Sequence, residues 1–415
     1  MVERALIMLE GTTNSNSLLF VRAAKYLGLH PIALATDPGS YDYIAAERVQ
    51  AVRVDTEDFN ALVRECYRLR EMYEVAGITS ALERVYATVG KLCRHFDLPG
   101  PNPTSIERCC DKFSQRRLLA EAGIPIPAFR LAANPAEVES AASDLGLPVI
   151  LKPAVGSGSS GVRLCRTTDE ITQHSTFLLS GEHIWQSSPR ILVEEFAQGP
   201  YYTAEVMGNE VVAIGTGDFG PPPHFVCRGF TYPAPLTDGE HNHIADVSLE
   251  CLRALNLGWG PTNVELRLTS RGPIVIEVNP RLAGMPFPQL VHLAYGVDLI
   301  TEHIKHVIGK EWDLRRRHSR TAVARHLVAD RDGTLDWIVG HSEAAAVLGV
   351  AEVKVYVKPK TPIIRKGDFD DCIGHVIAAS PSLTEAENAL QHAIDLITWS
   401  ITPFSPLGEH GPAWP

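Results

Sequence analysis

Acidic and amide side chains mark two apolar segments that a short turn joins. The segment "VELRLT" carries Glu265, and the segment "IVIEVN" carries Glu277 and Asn279. Because alternate side chains of a strand lie on the same face, Glu277 and Asn279 share one face, and Arg281 joins them if the extended chain continues. Pairing the strands across "TSRGP" brings Glu265 beside Glu277. Carboxylate and amide oxygens suit Mg²⁺ that bridges to nucleotide phosphates; the alternative is an exposed edge hairpin.

A lysine followed by a Gly/Ser loop forms a second candidate site. In "LPVILKPAVGSGSSGV", residues 147–162, Lys152 ends an apolar run, and the loop 156–161 precedes "VRLCR", which alternates like a strand. A P-loop has the opposite order, with a glycine-rich loop before the lysine and a helix after it. A lysine at the end of an apolar strand is costly unless an anion meets it. Backbone N–H groups of such a loop can close over phosphates; the alternative is a flexible surface loop.

Length and composition limit the classes of protein that the chain can belong to. The 415 residues suffice for two or three domains, 45% of them are hydrophobic, and the net charge is −11, which argues against nucleic-acid binding through a broad basic face. The eight cysteines lack CxxC spacing, the sixteen histidines lack an HExxH pattern, and neither an N-terminal signal nor a membrane span is evident. We therefore expect a cytoplasmic protein without a histidine-based metal site, a nucleic-acid partner or a membrane partner.

Strand and helix patterns alternate over the first hundred residues. The segments "RALIMLE", "HPIALATD" and "VAGITSALE" are typical of strands and "LLFVRAAKYLG" and "RVYATVGKLCRHF" of helices, which predicts a parallel sheet with helices on both faces. The turn 11–17 lacks GxGxxG, so it is either a plain turn or part of a substrate site. After a Pro-rich boundary near 103, "SIERCCDKFSQRRLLAEAG" predicts one helix, and the C-terminal region ends in the amphipathic helix "SLTEAENALQHAIDLI".

These motifs, in this order, resemble the ATP-grasp superfamily over nearly the whole chain. "CCDKFSQRRLLAEAGIPIP" is similar to the segment of its first nucleotide lysine, and "PVILKPAVGSGSSGV" is similar to its second lysine and mobile loop. "ILVEEFAQGPYYTAEVMG" is similar to the hinge that holds adenine, and "VELRLTSRGPIVIEVNPRLAG" to the metal hairpin.

The resemblance implies a multidomain α/β and α+β architecture built on the ATP-grasp fold. We expect an N-terminal parallel α/β domain at 1–105, an ATP-grasp region at 106–315 and a C-terminal α+β domain at 316–415. Within the central region we expect a mobile lid lobe at about 127–192 and the metal hairpin at about 262–284.

The resemblance also assigns roles to individual residues. Glu265, Glu277 and Asn279 are the expected ligands of two Mg²⁺ ions, and Arg281 is the expected phosphate clamp, acting in catalysis with Lys152 and His224. The expected ATP-binding residues are Lys112, Lys152, Gly156, Ser157, Gly158, Ser159, Ser160, Glu194, Glu195, Phe196, Ala197 and Glu205. One position departs from the family pattern: Tyr201 stands where a glutamate is usual, so a ribose contact through a carboxylate at that position is not assured.

Within the superfamily, three segments resemble bacterial L-amino-acid ligases, which make dipeptides: "GDFGPPPHFVCRGFTYPAP", "RLAGMPFPQL" and "TSALERVYATVGKL". On this resemblance Glu83 would bind the amino group of an amino acid, and Gly284, Met285 and Pro286 would bind its carboxylate. His224, Arg228 and Arg281 complete the expected substrate site. Simpler interpretations stay open, since Glu83 could merely begin a helix, His224 pack in a loop and Arg228 be a surface charge.

The implied reaction joins two small molecules at the expense of ATP. ATP phosphorylates the carboxylate of an amino acid, and the amine of a second amino acid or a related amine then displaces phosphate, giving a dipeptide or amide. Whether the chain acts as a homodimer is left open. One alternative is a carboxylase or carbamoyl-phosphate-type enzyme that activates bicarbonate, although no biotin-carrier segment is evident. Another is a non-catalytic ATP-binding regulator, against which the intact set of lysines and acidic residues argues.

Overall fold

The computed structural model describes residues 2–10, 16–180 and 190–404. Most of the predicted turn 11–17, and residues 181–189 of the predicted lid lobe, lie outside the described residues. The strands are β1 (Arg4–Leu9), β2 (His30–Ala35), β3 (Gln50–Arg53), β4 (Glu74–Thr79), β5 (Phe129–Ala132), β6 (Val149–Pro153), β7 (Arg163–Cys165), β8 (Ile191–Glu195), β9 (Tyr201–Met207), β10 (Glu210–Phe219), β11 (Cys227–Tyr232), β12 (Pro261–Thr269), β13 (Gly272–Asn279), β14 (Thr321–Val328), β15 (Gly333–Val339), β16 (Val350–Val355), β17 (Pro362–Ile363), β18 (Cys372–Ser380) and β19 (Thr398–Thr402). The α-helices are α1 (Ser17–Tyr26), α2 (Asp42–Ala46), α3 (Phe59–Met72), α4 (Glu83–His95), α5 (Pro103–Cys110), α6 (Lys112–Glu121), α7 (Pro135–Leu145), α8 (Thr168–Leu179), α9 (Asp238–Ala254), α10 (Phe287–Tyr295), α11 (Leu299–Val307), α12 (His341–Ala345) and α13 (Leu383–Leu396).

The chain forms two compact units, each assembled from three separated segments. Unit 1 comprises Met1–Leu131, Glu194–Thr216 and Tyr232–Ser319. Unit 2 comprises Ala132–Val193, Gly217–Thr231 and Arg320–Pro415. The three-domain division drawn along the sequence stays a prediction. Within the described residues, no helix combines the length and the apolar character that a membrane crossing requires.

Unit 1 begins with the predicted parallel sheet. Its strand order is β3-β2-β1-β4, and β1 pairs in parallel with both β2 and β4. Strand β1 is buried from Ala5 to Leu9, which suits a strand covered on both faces. The Ser80 hydroxyl donates to the Leu9 carbonyl at 2.7 Å, so the carboxyl ends of β1 and β4 meet at one edge of the sheet.

Unit 1 also contains antiparallel strands, which carry the predicted metal hairpin. Strand β12 lies between β13 and β9 and pairs antiparallel with each. Its inward side chains, including Val264 and Leu266, pack in a core with Ile244 of α9 and Leu119 of α6. This core holds the two helices against one face of the sheet and leaves alternate side chains of β12 for the opposite face.

The prediction of a single helix after the Pro-rich boundary is wrong in the number of helices. The segment forms two helices, α5 and α6, that break at Asp111. Asp111 has an extended conformation, and its carboxylate accepts a hydrogen bond from the backbone N–H of Ser114 at 2.7 Å. Aspartate is a strong N-cap residue, so it ends the first helix and begins the second, which then starts with Lys112.

Unit 2 combines a small sheet with the C-terminal α+β structure. Strands β8, β6 and β7 are neighbours in that order, and the strand predicted after the Gly/Ser loop is β7. The C-terminal strands β14, β18 and β16 pair antiparallel, and β17, β15 and β19 form a separate sheet. The predicted amphipathic C-terminal helix is α13, which buries Ala386, Leu390 and Ala393 and is capped by Ser382.

Candidate active site

The paired strands β12 and β13 place two carboxylates opposite each other. Glu265 is the Cα partner of Glu277, and Asn263 is the partner of Asn279, as strand alternation predicts for the acidic pair. The Asn279 amide Nδ2 donates to Glu265 Oε1 at 3.1 Å. Lys112 extends its ammonium to Glu277, with 2.8 Å between Nζ and Oε1. Lys112, the predicted first nucleotide lysine, and the three predicted metal ligands therefore form one cluster in unit 1.

The electrostatics of this cluster favour a bound cation. Burial and, second, the charge of Glu277 raise the pKa of Glu265 to about 7, against a hydrogen bond from Tyr201 and the charges of Arg281 and Lys112. Two close carboxylates resist ionising together unless a cation offsets them. Two carboxylates and an amide oxygen are hard ligands that fit Mg²⁺. Among the described residues no group of three His, Cys, Asp or Glu side chains could hold a metal ion, so any site here needs the amide.

Lys112 lies at the start of α6, where the capping residue Asp111 fixes the backbone. Its side chain is buried, and burial alone would lower its pKa. The combined attraction of Glu277, Glu83 and Glu265 outweighs burial and raises the pKa of Lys112. The lysine is therefore a cation held in place by carboxylates, and it can meet a phosphate without reorganisation.

Arg281 and Glu83 form an ion pair beside the same cluster. The distance between Arg281 Nε and Glu83 Oε2 is 2.9 Å. Burial opposes the charge of Arg281, but Glu83, Glu277 and Glu265 together raise its pKa. Glu83 is also the first residue of helix α4, as the simpler interpretation predicted. It therefore begins a helix and forms an ion pair at the same time. The expected phosphate clamp and the expected amino-group site are thus adjacent.

The segment Gly284 to Pro286 connects the metal hairpin to helix α10. Gly284 is exposed, and its carbonyl accepts a hydrogen bond from the Phe287 N–H at 3.0 Å. The preceding Ala283 carbonyl accepts from Asn16 Nδ2 at 3.0 Å, which ties this segment to the start of α1. The segment lies within unit 1, as Glu83 and Arg281 do.

Two arginines outside the predicted site, Arg116 and Arg271, hold the predicted hinge residues Glu194 and Glu195. Glu194 is buried and accepts from Arg116 Nε at 2.5 Å, and Arg116 also donates to the Ile276 carbonyl. Glu195 accepts from Arg271 at 2.5 Å, while its own N–H donates to the Ala128 carbonyl at 2.9 Å. The Glu194 side chain is therefore committed to Arg116. Arg116 follows Lys112 by four residues on α6, and this helical spacing is the signal that could have revealed it.

Glu205 lies in a buried hydrogen-bond network on the same sheet. Its Oε1 accepts from the Tyr232 hydroxyl at 2.9 Å, from Asn263 Nδ2 at 2.9 Å and from the Thr203 hydroxyl at 3.2 Å. Burial raises the pKa of Glu205 to about 7, although these three donors favour the carboxylate. Tyr201 forms a hydrogen bond with Glu265 that lowers the pKa of Glu265. Tyr201, which stands where the family pattern has a glutamate, therefore faces the predicted metal hairpin.

Lys152 and the Gly/Ser loop lie in unit 2. Lys152 is 4% exposed near the end of β6. Gly156, Gly158 and Gly161 have positive φ angles, which glycine adopts without strain. The Gly158 carbonyl accepts from the Phe369 N–H at 3.1 Å, and the Gly161 carbonyl lies 2.8 Å from His174 Nε2. The loop is thus anchored to its own unit at both points.

The remaining predicted substrate residues, His224 and Arg228, also belong to unit 2. His224 packs its ring against Gly367, and burial, reinforced by Arg163, lowers its pKa despite the attraction of Asp371. It is therefore a neutral imidazole at neutral pH. Arg228 is exposed at the start of β11, with its guanidinium near Gly220.

Comparison with known proteins identifies two families over separate parts of the chain. Residues 145–289 match the family described as ATP-grasp domain, and residues 325–402 match the family described as L-amino acid ligase C-terminal domain 2. The crystal structure of an L-amino acid ligase from Bacillus licheniformis covers 97% of this chain and 100% of its own, with a TM-score of 0.81 and 21% sequence identity. At this identity the likeness concerns the fold.

Two curated relatives cover nearly the whole chain. The uncharacterized protein y4rH of Sinorhizobium fredii is 57% identical over 408 residues, which are 98% of this chain and 85% of that protein. Carnosine synthase 1 of Homo sapiens is 25% identical over 424 residues, which cover 93% of this chain and 50% of that protein. The chain therefore spans about half the length of the human relative.

Proposed function

The chain belongs to the ATP-grasp superfamily and to the same family as y4rH, and from this membership we propose that it is an ATP-dependent ligase that joins two amino acids. The proposed reaction forms a C–N bond between the carboxylate of one amino acid and the amine of a second amino acid or a related amine. The matches to the ATP-grasp domain and to the L-amino acid ligase C-terminal domain 2 support a carboxylate–amine ligase. The more specific part of the proposal is that the product is a dipeptide.

One observation carries this proposal: the charged cluster of unit 1. Lys112 meets Glu277 at 2.8 Å, Arg281 meets Glu83 at 2.9 Å, and Glu265 lies opposite Glu277. Two cations and three carboxylates in contact are costly to bury without a purpose, because each ion loses hydration. Together they offer groups for phosphate, for divalent cations and for a substrate amine, which is the set that an ATP-dependent ligase needs.

We assign Glu265, Glu277 and Asn279 as the residues that would hold Mg²⁺, with two ions expected. When bound, the metal would offset phosphate charge and polarise the γ-phosphate. Lys112 and Arg281 would bind phosphate oxygens, and their raised pKa values keep both side chains cationic. Lys152, the loop 156–161 and the hinge residues 194–197 would contact the nucleotide. For Glu194 this contact would be through the main chain, because its carboxylate is paired with Arg116.

The reaction balances in two steps. An oxygen of the substrate carboxylate attacks the γ-phosphorus, the bond from that phosphorus to ADP breaks, and ADP leaves. The free amine of the second substrate then attacks the acyl carbon, the carbon–oxygen bond to phosphate breaks, and the proton lost by the amine passes to the departing phosphate. Arg281 would stabilise the transferring phosphoryl group, while Glu83 beside it would orient the amino group of an amino acid. Exclusion of water by the loop 156–161 would protect the acyl phosphate.

The substrate contacts complete the proposal. Gly284 and Met285 would bind the amino-acid carboxylate through their backbone N–H groups, and Pro286, which has no N–H, would contact the substrate only by packing. His224 and Arg228 of unit 2 would contact substrate as well, and the neutral imidazole of His224 could accept a proton. The eight cysteines are all free thiols, which supports the expected reducing, cytoplasmic setting. Size-exclusion chromatography with light scattering would establish whether the chain forms a homodimer.

The test combines purified protein, ATP and Mg²⁺ with all pairs of amino acids, and measures phosphate release and product mass together. We expect phosphate release that requires two amino acids and a product mass equal to their sum minus one water. Phosphate release with bicarbonate alone would favour a carboxylase-type reaction. ATP binding without turnover of any acid would favour a non-catalytic regulator. Either result would overturn the ligase proposal.

A further inference from the structure

A hydrogen-bonded relay connects Glu205 to the proposed metal ligands. Glu205 and Asn263 are Cα partners on β9 and β12, and both side chains are at least 97% buried. Asn263 Nδ2 donates to Glu205 Oε1 at 2.9 Å and to the Thr203 hydroxyl at 2.6 Å. The Thr203 hydroxyl donates in turn to Glu205 Oε1 at 3.2 Å. Both donors of the Asn263 amide are therefore used on the side of Glu205.

The relay continues from Asn263 to Asn279. Asn279 Nδ2 donates to Asn263 Oδ1 at 3.2 Å and to Glu265 Oε1 at 3.1 Å. Both donors of the second amide are therefore used as well. None of these contacts involves Asn279 Oδ1, so the amide oxygen is the end of this side chain that remains for a cation.

The direction of the relay follows from the chemistry of its first member. Glu205 Oε1 can only accept hydrogen bonds here, because three donors already point at it, whereas an amide has one end that accepts and one that donates. Glu205 thus turns the Nδ2 of Asn263 towards itself and the Oδ1 of Asn263 towards Asn279. That oxygen in turn requires the Nδ2 of Asn279. Reversing either amide would put two acceptors or two donors face to face.

We propose that Glu205 is a positioning residue that fixes the orientation of the Asn279 amide, so that its oxygen faces the metal site. The inference rests on the proposed function, because it takes Glu265, Glu277 and Asn279 as the metal ligands. It assigns Glu205 a role different from the nucleotide contact that the sequence resemblance implies. Residues that orient metal ligands through hydrogen bonds typically change metal affinity about 10–100-fold when they are replaced.

The test is Mn²⁺ binding to the full-length protein with a non-hydrolysable ATP analogue, measured from the free Mn²⁺ signal in electron paramagnetic resonance. Glu205→Gln can donate as well as accept, so it no longer enforces one orientation. We expect Mn²⁺ affinity to fall about tenfold. Affinity for the analogue in EDTA should not change. Tyr232→Phe is the matched control, because it removes a neighbouring donor to Glu205 but leaves the direction of the Asn263 amide unchanged, and we expect wild-type Mn²⁺ affinity.

A second comparison tests whether the effect of Glu205 depends on the amide of Asn279. Asn279→Asp places oxygens at both ends of the side chain, so its orientation no longer matters. In the Asn279→Asp background, adding Glu205→Gln should therefore leave Mn²⁺ affinity unchanged, and a double-mutant cycle measures this coupling. An equal loss in both backgrounds would overturn the relay, as would weaker binding of the analogue in EDTA, which indicates a direct nucleotide contact.

Mn²⁺ binding by the wild-type protein distinguishes a failure of the relay from a failure of the proposed function. If wild-type protein binds Mn²⁺ with the analogue but Glu205→Gln binds it equally well, the relay is wrong and the proposed function stands. If wild-type protein does not bind Mn²⁺ at all, the metal site and the relay both fail.

Discussion

At the scale of single residues, Glu277 of the proposed metal hairpin pairs with Lys112, the proposed first nucleotide lysine. Replacing it by Gln removes an anionic ligand but keeps its size, and Lys112 still has Glu83 and Glu265 nearby. We expect Glu277→Gln to lower turnover at least ~10²-fold, the scale of losing one well-placed electrostatic group. Steady-state kinetics at several Mg²⁺ concentrations, with urea unfolding to verify the fold, would measure it.

The matched control for this variant is Glu210→Gln. Glu210 is an exposed carboxylate at the start of β10 in the same unit, so its loss should leave turnover unchanged. Near-normal activity of Glu277→Gln with an unaltered Mg²⁺ requirement would mean that the hairpin has only a structural role.

Glu10 makes the stability of unit 1 depend on pH. It is fully buried after β1, it accepts from the Ser17 hydroxyl at 2.8 Å, and burial raises its pKa to about 7 from 4.5. The folded state therefore binds more protons than the unfolded state between these values, so the free energy of unfolding falls as pH rises through this window. The loss from this group is at most about 3 kcal/mol.

Glu10→Gln should remove this contribution. We expect the variant to be more stable than wild type at pH 8 and to differ less from it at pH 5. Urea unfolding at both pH values would measure the effect, with Glu210→Gln as the exposed control. Because Glu205 and Glu265 also have raised pKa values, the informative quantity is the difference between variant and wild type. An identical pH dependence in the two proteins would refute the assignment to Glu10.

The sequence predicted which polar side chains of the proposed metal hairpin come together, but not which partners hold them. Glu265, Glu277 and Asn279 follow from strand alternation, a local property. Arg116 meets Glu194 across 78 positions of sequence, and Asn263 meets Glu205 across 58, so these contacts depend on tertiary packing. Apart from the four-residue spacing of Arg116 from Lys112 on α6, nothing in the local pattern of either segment distinguishes these partners from ordinary polar residues.

At the scale of elements, the cap of α6 positions Lys112. Asp111→Ala removes the acceptor for the Ser114 N–H, which should lower the free energy of unfolding by ~1 kcal/mol. The first turn of α6 then loses its anchor, and Lys112 lies in that turn. We expect the KM for ATP to rise about fivefold, the equivalent of that free energy. Urea unfolding and ATP kinetics would measure the two effects.

Ser382→Ala is the control for this cap. Ser382 caps α13 in unit 2, outside the predicted lid lobe, by accepting from the Glu385 N–H at 3.3 Å, so its loss should cost similar stability without changing the KM for ATP. Equal KM changes in both variants would show that stability, and not the position of Lys112, determines ATP use. The break at Asp111 also explains the wrong single-helix prediction, because the helical pattern continues across a residue that can end one helix and cap the next.

The Gly/Ser loop is an element whose order should depend on nucleotide. Its six residues are three glycines and three serines, which favours low intrinsic order. Proteinase K should cut within 156–161, and an ATP analogue with Mg²⁺ should suppress this cleavage, with sites elsewhere as the internal reference. Lys152→Ala should weaken the protection and ATP use, but not amino-acid binding. Cleavage that nucleotide leaves unchanged would reduce the loop to a surface turn.

At the scale of the whole molecule, the order of segments along the chain differs from their grouping in space. Segment Tyr232–Ser319, which contains the metal hairpin, belongs to the same unit as the N-terminal sheet. The segments containing Lys152 and the C-terminal strands belong to the other unit. Sequence patterns predicted the sheet types and the order of motifs, because these depend on local periodicity. They could not predict the grouping, which depends on contacts between distant segments.

The complete reaction can be followed by the path of a single oxygen atom. If a carboxylate attacks the γ-phosphorus of ATP, one of its oxygens must leave in the phosphate when the amine displaces it. An amino acid labelled with ¹⁸O in both carboxylate positions should therefore give phosphate with one ¹⁸O, ADP with none, and a dipeptide that keeps the other label. Mass spectrometry of the three products would measure this distribution, with unlabelled amino acid in ¹⁸O-water as the control for exchange with solvent. Label in AMP would indicate adenylation and contradict the proposed role of the Lys112 and Arg281 cluster at the γ-phosphate. Label that enters phosphate only from ¹⁸O-bicarbonate would instead identify bicarbonate as the activated acid.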